Sequence, residues 1–328
     1  FRKMPRPSFR AALSLLVSGV AGSAAPVMLT VAGSDSGGGA GIQADLKACE
    51  ALGVFGTTAL VALTAQNTLG VHAVHPVPAA FVRAQIDAVL GDMGAHAVKT
   101  GMLPSEEAIA TVAEALDEHA VAIRVIDPVI VAASGDVLAG PAAVAALKRL
   151  LLPTATVLTP NMPEAGALLG VAAPTSVEEM RAAAAALLDL GPQAVLLKGG
   201  RLPAPEAEAA EGGAAEAAEG RAAVGMVDVY ADAEHGVVEL RYRRVATNNT
   251  HGAGCTLAAA VAAELAKQVH SGTGPLQPLE AVRAARAYVA EVFAASAGGK
   301  VGTGLRGPLN HARALWRGGS DGAVHDEL

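Results

Sequence analysis

The sequence predicts a three-layer α/β/α sandwich with a mainly parallel central sheet. Three observations carry that reading. Short apolar runs bounded by turn residues alternate with helix-patterned stretches along most of the chain. The composition is 52% hydrophobic but only 3% aromatic, so a large core must be built from Ala, Val and Leu. A glycine-rich loop joins the first strand to the first helix, the layout of a nucleotide or anion site. A length of 328 residues allows one large or two small domains. The net charge of −7, with no basic patch interleaved with aromatics, argues against nucleic acid as a partner. No stretch is long and apolar enough to predict a membrane span. Cys49 and Cys255 lie far apart and read as two free thiols in a reducing compartment.

In chain order, residues 27–32 (V-M-L-T-V-A) form a buried strand. The loop at 33–41, G-S-D-S-G-G-G-A-G, precedes a helical pattern on Ile42, Leu46 and Leu52 that ends at Gly53. Its spacing is neither a Walker P-loop nor G-x-G-x-x-G, leaving a ligand-approach loop or a plain flexible connection. Residues 57–64 form a second strand, followed by A-Q-N-T. Gln66 there offers one acceptor and two donors, to a ligand at a strand's carboxyl end or as an ordinary loop amide. His72 and His75 read as a solvated loop before Pro76 rather than a metal pair. Residues 78–89 are an amphipathic helix, 97–102 a strand and its exit with Met102 as core, and a further helix starts near Ser105.

A strand at 125–127 ends on Asp127 before Pro128, where the carboxylate either faces a metal-bound nucleotide or initiates a turn. Residues 141–152 read as one helix with Val144, Leu147 and Leu151 on its buried face. The pattern N-x-x-E at Asn161 and Glu164 opens a helix and also supplies oxygens suited to partly hydrated Mg²⁺. Residues 194–200 are a buried strand, with Lys198 either exposed at its end or reaching a phosphate. The Ala-, Glu- and Gly-rich stretch 202–224 reads as a disordered low-complexity insertion. A hairpin is expected at 227–230 and 237–245, and a helix at about 279–295. Residues 302–307 fit G-x-G-x-x-G by letter, but they follow a helix and run into Pro308, so this is a false Rossmann match.

The stretch 245–257, V-A-T-N-N-T-H-G-A-G-C-T-L, organises the rest. Gly252 and Gly254 allow a tight turn, and the amides of Gly252, Ala253, Gly254 and Cys255 fall in the first turn of an apolar helix. Such a place is either a plain helix entry with a buried cysteine or an anion site for a phosphoryl group in flight. A helix N-terminus is expected to lower the Cys255 thiol pKa.

T-H-G-A-G-C-T at 250–256 resembles the C-terminal signature of the ribokinase-like small-molecule kinases. Cysteine where most members carry aspartate is similar to the hydroxymethylpyrimidine and phosphomethylpyrimidine kinases of thiamine biosynthesis. A-G-S-D-S-G-G-G-A-G-I-Q-A-D-L-K at 32–47 resembles their substrate-side opening. The resemblance runs from about 27 to 311 and implies a ribokinase-like fold. It implies ATP-dependent phosphorylation of 4-amino-5-hydroxymethyl-2-methylpyrimidine and then of its monophosphate. It places Ala40, Asp45, Gln66, Met102 and Val129 on the pyrimidine. Asp127, Asn161, Glu164 and Lys198 fall on the ATP phosphates, with Glu164 and Asp127 turned toward Mg²⁺ through phosphate or water. Gly252, Ala253, Gly254 and Cys255 stabilise the transferring group, and the Cys255 thiolate takes the hydroxyl proton. A homodimer is implied as well. Leu305 and Arg306 separate the closing glycines, a departure from the family spacing. The alternatives are a kinase for pyridoxal or another hydroxymethyl heterocycle, and a non-catalytic pyrimidine- or nucleotide-binding relative.

Residues 1–26 carry Arg2, Lys3, Arg6 and Arg10 and no acid, and read as a targeting segment before a kinase domain at 27–311. Residues 312–328 form a tail that ends in the literal ER-retention tetrapeptide H-D-E-L. Asn248-Asn249-Thr250 is a glycosylation sequon inside the central stretch, and Cys255 would face oxidation in the ER lumen. The expectation is therefore a plastid (chloroplast) or cytoplasmic location, with the ER lumen disfavoured.

Overall fold

The structure is a computed structural model that describes residues 23–130, 139–200, 202 and 225–313. The expected targeting segment therefore lies outside the described residues up to 22, the insertion lies outside them apart from Leu202, and the tail lies outside them beyond Arg313.

Among the described residues, nine strands form one sheet in the order β3-β2-β1-β4-β5-β6-β7-β8-β9. They are β1 (Val27–Asp35), β2 (Phe55–Asn67), β3 (Gly70–Pro76), β4 (Ala97–Thr100), β5 (Arg124–Ile126), β6 (Val157–Leu158), β7 (Ala194–Leu197), β8 (Gly225–Asp232) and β9 (Gly236–Arg243). The six neighbours from β2 to β7 are parallel, and β3, β8 and β9 are antiparallel additions at the edges. Parallel strands need covered faces, and eight helices among the described residues supply the cover. They are α1 (Gly41–Ala51), α2 (Ala79–Asp92), α3 (Glu106–Glu118), α4 (Pro141–Ala146), α5 (Met162–Leu169), α6 (Val177–Leu188), α7 (Ala253–Ser271) and α8 (Pro278–Ser296). One core joins α1, α7 and α8 to Met28, Ala97, Val125, Val157 and Leu196. The other joins α2 to α6 to Leu29, Val31, Val98, Ile126 and Val195. Neighbouring strand residues thus feed opposite layers, the two-residue period of a strand buried on both faces. The three-layer mainly parallel sandwich is the architecture expected from the sequence.

Three local expectations are corrected. Residues 70–76 are an edge strand, not a loop. Pro76 reads as a breaker in sequence, but an edge strand tolerates it because nothing beyond the edge needs its missing N–H. His72 and His75 sit exposed on that strand, and their odd spacing puts them on opposite faces. The helix expected over 141–152 breaks after Ala146 into a π-helical turn (Leu147–Leu151) and a 3₁₀ turn (Leu152–Thr154). Pro153 cannot donate an amide and its ring crowds the carbonyl one turn back, so regular α geometry cannot run through it. Finally, β1 runs past Ala32 to Asp35, because Gly33, Ser34 and Asp35 still pair with β2 beyond a register shift. That extension carries the Asp35 carboxylate to the carboxyl edge of the sheet.

The end of the described chain is tied down by a buried histidine. His311 Nε2 lies 2.9 Å from Thr256 Oγ1 on α7. Burial pushes its pKa from 6.5 down to about 4, so the folded chain keeps this ring neutral where the unfolded chain protonates it. A depressed histidine contributes stability above 6.5 that is lost as pH falls toward about 4. The loss amounts to roughly 3 kcal/mol at full effect. His311→Gln should be less stable than the unaltered chain at pH 7 but should regain on it between pH 6.5 and 4.5, by denaturant unfolding. A stability difference that does not change with pH would contradict this account.

Candidate active site

Open α/β sheets place ligands beyond the carboxyl ends of their strands, where the chain switches direction along the sheet. Here that point lies at β1, flanked by β2 on one side and β4 on the other. The ends of β1, β2, β4, β5 and β7 and the N-terminus of α7 meet there and assemble two side-chain clusters.

The first cluster gathers on β1, β2, β4 and α1. Lys99 Nζ donates to Asp45 Oδ2 at 2.8 Å, and Thr30 Oγ1 donates to the same oxygen at 2.6 Å. Lys99 and Asp45 are fully buried, and Asp45 Oδ1 has no partner among the described residues. Burial pushes the Asp45 carboxyl up from its ordinary range while Lys99 pulls against it. The Lys99 ammonium is disfavoured by burial, but Asp45, Cys255 and Asp127 more than offset this and hold its pKa high. An unpartnered, buried carboxylate oxygen is costly unless a donor arrives. Above this pair, Asp35 Oδ1 accepts from Gly37 N (2.8 Å), and Oδ2 accepts from Gly39 N (3.0 Å), Ala40 N (2.8 Å) and His251 Nε2 (2.8 Å). Gln66 Nε2 lies 3.4 Å from the same imidazole nitrogen, and Thr64 Oγ1 donates to Gln66 Oε1 at 3.2 Å. Met102 Cε packs over Gly33, where a Cβ would meet it at 2.8 Å. Val129 lines a cleft with Gly101, Leu103 and Ile130.

The second cluster gathers beyond β5, β6 and β7. Asp127 is buried, and its Oδ1 accepts from Lys198 Nζ at 2.8 Å and Thr159 Oγ1 at 2.9 Å. Asn161 and Glu164 form a reciprocal capping box at the start of α5, with both bonds at 2.8 Å. Burial pushes Glu164 up to about 7, with Lys198 opposing and Asp127 adding to the rise. Burial also works against the Lys198 ammonium, yet Asp127 and Glu164 more than offset it. The strand end that presents Lys198 is braced from behind: Gly199 N donates to Asp228 Oδ1 at 2.8 Å, and Asp228 pairs with Arg286 at 2.9 Å.

The two clusters meet at the start of α7. Gly252 holds φ +81° as its N-cap, and a Cβ there would lie 1.7 Å from the Gly39 carbonyl oxygen. Only glycine fits such a conformation and approach. Ala253 N is taken by the Thr250 carbonyl at 3.3 Å, so this amide is not free as expected. The Gly254 and Cys255 amides have no acceptor among the described residues and point outward with the positive end of the helix dipole. Gly254 has Lys198 Nζ against it, 3.4 Å from where a Cβ would sit. The expectation of a lowered Cys255 thiol pKa is corrected. Burial pushes it up and outweighs the nearby Lys99 ammonium, which favours the thiolate. The thiol is therefore the resting form.

This arrangement, a helix start with unpaired amides, a lysine on one side and a buried set of polar groups on the other, suits phosphoryl transfer. Residues 35–310 match the family model described as phosphomethylpyrimidine kinase. The chain belongs to that family. It is 45% identical over 291 residues to a hydroxymethylpyrimidine/phosphomethylpyrimidine kinase of Rhizobium meliloti, covering 89% of this chain and 98% of the relative. It is 44% identical over 286 residues to a chloroplastic thiamine biosynthetic bifunctional enzyme of Arabidopsis thaliana, covering 87% of this chain but only 50% of that protein. Among solved structures, an ADP complex of Bacillus subtilis pyridoxal kinase superposes with a TM-score of 0.72 at 35% identity, covering 88% of this chain and 98% of that one. The ribokinase-like fold implied by the resemblance is thereby established.

Asp45 is less open than expected from the sequence: its side chain is fully buried, and Oδ1, unpartnered among the described residues, is enclosed with it. Sequence reasoning missed Lys99, Thr30, Asp35 and His251 as site members. Lys99 carried one signal, a cation in the middle of an otherwise apolar strand. Gly252→Ala tests the meeting of the two clusters: a left-handed alanine costs about 1–2 kcal/mol before any clash. Phosphoryl transfer should fall roughly a hundredfold as the loops separate. Wild-type turnover in this variant would show that the approach of Gly39 to Gly252 is dispensable.

Proposed function

We propose that this chain transfers the γ-phosphoryl group of ATP to the hydroxymethyl group of 4-amino-5-hydroxymethyl-2-methylpyrimidine, and then to the resulting monophosphate. The observation that carries the reading is the meeting of the two clusters at the Gly254 and Cys255 amides, within a family of phosphomethylpyrimidine kinases. In this reading Asp45 Oδ1 accepts from the ring's amino group, Gln66 hydrogen-bonds a ring edge, and Ala40, Met102 and Val129 enclose the ring. Lys198 and the α7 amides hold the phosphate oxygens. Among the described residues no three His, Cys, Asp or Glu side chains gather closely enough to cage a metal. The donor set fits Mg²⁺ held largely by phosphate and water, with Asp127 and Glu164 reaching it from outside. When bound, Mg²⁺ supplies charge neutralisation at the phosphates.

Cys255 enters as a neutral thiol at the hydroxyl, placed to hydrogen-bond the acceptor rather than to strip its proton beforehand. Phosphoryl transfer through a loose transition state needs little base help, so positioning and the anion site carry most of the rate. We also propose a homodimer, testable by light scattering, and a plastid location. The location is supported by the chloroplastic Arabidopsis relative and by the exposure of Asn248 just ahead of α7, where a lumenal glycan would crowd the site. No helix among the described residues is long and apolar enough to cross a membrane.

The decisive assay is mass-spectrometric product analysis with purified protein, ATP and each acceptor. Mono- and diphosphorylated pyrimidine should form, whereas pyridoxal phosphate alone would favour the activity named for the Bacillus structure. No phosphorylated product from any acceptor would favour a binding protein. Gln66→Ala should raise the pyrimidine KM roughly 10–100-fold, the cost of an unmet polar edge, and leave that for ATP unchanged. Cys255→Ala should lose less than the roughly 10²–10⁴-fold expected of a general base. For location, a tag inserted within 202–224 should report plastid import; an ER signal with glycosidase-sensitive mass would overturn that assignment.

A further inference from the structure

His251 is not among the residues that the proposed function uses, yet it touches three loops at once. Its ring Nε2 lies 2.8 Å from Asp35 Oδ2 and 3.4 Å from Gln66 Nε2. Its backbone amide donates to the Gly307 carbonyl at 3.1 Å, and it forms an isolated bridge with Pro308. The ring fills the space beside Gly39, where a Cβ would lie 2.4 Å from His251 Cδ2. Asp35 is buried and, although burial pushes its pKa up, the His251 contact and the Gly37 and Ala40 amides bring it below its ordinary value. An ionised carboxylate only accepts, so the imidazole must carry its proton on Nε2. Gln66 Nε2 is itself a donor and cannot accept from that N–H, so the imidazole proton is left to Asp35.

These contacts bind the loop that carries Ala40 and Gly41 to the loop that carries Gly252 and Cys255. Gly252 packs against the Gly39 carbonyl so closely that a Cβ there would lie 1.7 Å from its oxygen. We propose that His251 is a positioning residue: its clasp on Asp35 holds the acceptor-side loop closed over the start of α7, aligns the acceptor hydroxyl there and keeps water off the phosphoryl path. The inference rests on the proposed phosphotransfer for its kinetic consequence, but the closure itself is a property of the chain. With the clasp open, ATP is hydrolysed: water, instead of the acceptor hydroxyl, forms the new P–O bond as the bond to ADP breaks, and its proton passes to solvent.

Three variants separate positioning from mere structure. His251→Ala removes the donor, His251→Gln returns an amide N–H near the Nε2 position, and Asp35→Asn removes the acceptor charge. In His251→Ala, acceptor phosphorylation should fall roughly 10–100-fold, the usual cost of misplacing reacting groups by about an ångström. The ratio of ATP consumed to acceptor phosphorylated should rise severalfold above about one, while His251→Gln should restore most of both. Adding Asp35→Asn to His251→Ala should cost less than the sum of the two single changes, because they share one contact; the remainder reports the Gly37, Gly39 and Ala40 amides that Asp35 also holds. A second readout needs no turnover: the alkylation rate of Cys255 should rise severalfold in His251→Ala and recover in His251→Gln. The other thiol, Cys49, is fully buried and stays silent. The ratio is measured with whichever hydroxymethyl acceptor the unaltered chain phosphorylates. A wrong acceptor thus shows in the unaltered chain, and a wrong clasp only in the variants. Unchanged Cys255 alkylation in His251→Ala would overturn the proposal, as would equal losses in the Ala and Gln variants that track only a lowered Tm.

Discussion

The Lys99–Asp45 ion pair underlies the whole carboxyl edge of the sheet. It joins β4 to α1, with Thr30 adding β1, in a place sealed from water. Two charges taken out of water cost several kcal/mol each, and their attraction recovers this only with good geometry and filled hydrogen-bonding positions. Here one carboxylate oxygen is filled twice, and the other has no partner among the described residues. A core designed for stability alone would use apolar residues at these positions, often without loss. Gly101 has no side chain for a related reason: a Cβ there would lie 2.9 Å from Lys99 Nζ.

The same economy of charge runs through the rest of the site. Lys99 and Lys198 both act electrostatically on Cys255, and each is matched by carboxylates, Asp45 for the one and Asp127 with Glu164 for the other. The lysines therefore bring little uncompensated charge to an incoming polyphosphate. The extra attraction comes from fixed dipoles at the start of α7, which need no rearrangement when the ligand arrives. This also explains why the Cys255 thiol is not acidic. A helix N-terminus lowers a thiol pKa when the sulfur stays hydrated, but this one is held among groups whose charges largely cancel, and loss of water dominates.

Much of this was legible in the sequence, for identifiable reasons. Apolar runs such as 27–32 and 194–197 face two layers at once and leave a continuous signal, and glycines mark the points where backbone meets backbone. The N-x-x-E pair announced a helix start, and the capping box at the head of α5 bears that out. What stayed hidden depends on partners distant in the chain. Residues 70–76 became a strand because β2 extends far enough to pair with them, which their own letters do not announce. The helix α6 lies in a stretch that no motif had drawn attention to. Lys99 looks out of place in its strand until Asp45 is beside it. His251 looks like one letter of a signature until Asp35 arrives from the other end of the chain. The pKa of Cys255 was misjudged because local helix geometry is visible in sequence and burial is not.

The strap after α8 has a consequence for synthesis. Asn249 Nδ2 donates to the carbonyls of Ser296 and Gly299, both at 2.6 Å, and Gly304 N donates to Thr68 Oγ1 at 3.2 Å across 236 positions. The acceptor loop is therefore among the first parts of the domain to leave the ribosome, and the segment that fastens it is among the last. A nascent chain can pair β2 and β3 on one side of β1 and then add β4 to β7 on the other, each parallel strand packing on the one before. It cannot close the pocket until residues beyond 300 have emerged. Loop closure over such separations is slow compared with forming local helices. Until then the growing sheet presents an apolar face awaiting α7 and α8, an interval in which it depends on chaperones or on speed to avoid its neighbours.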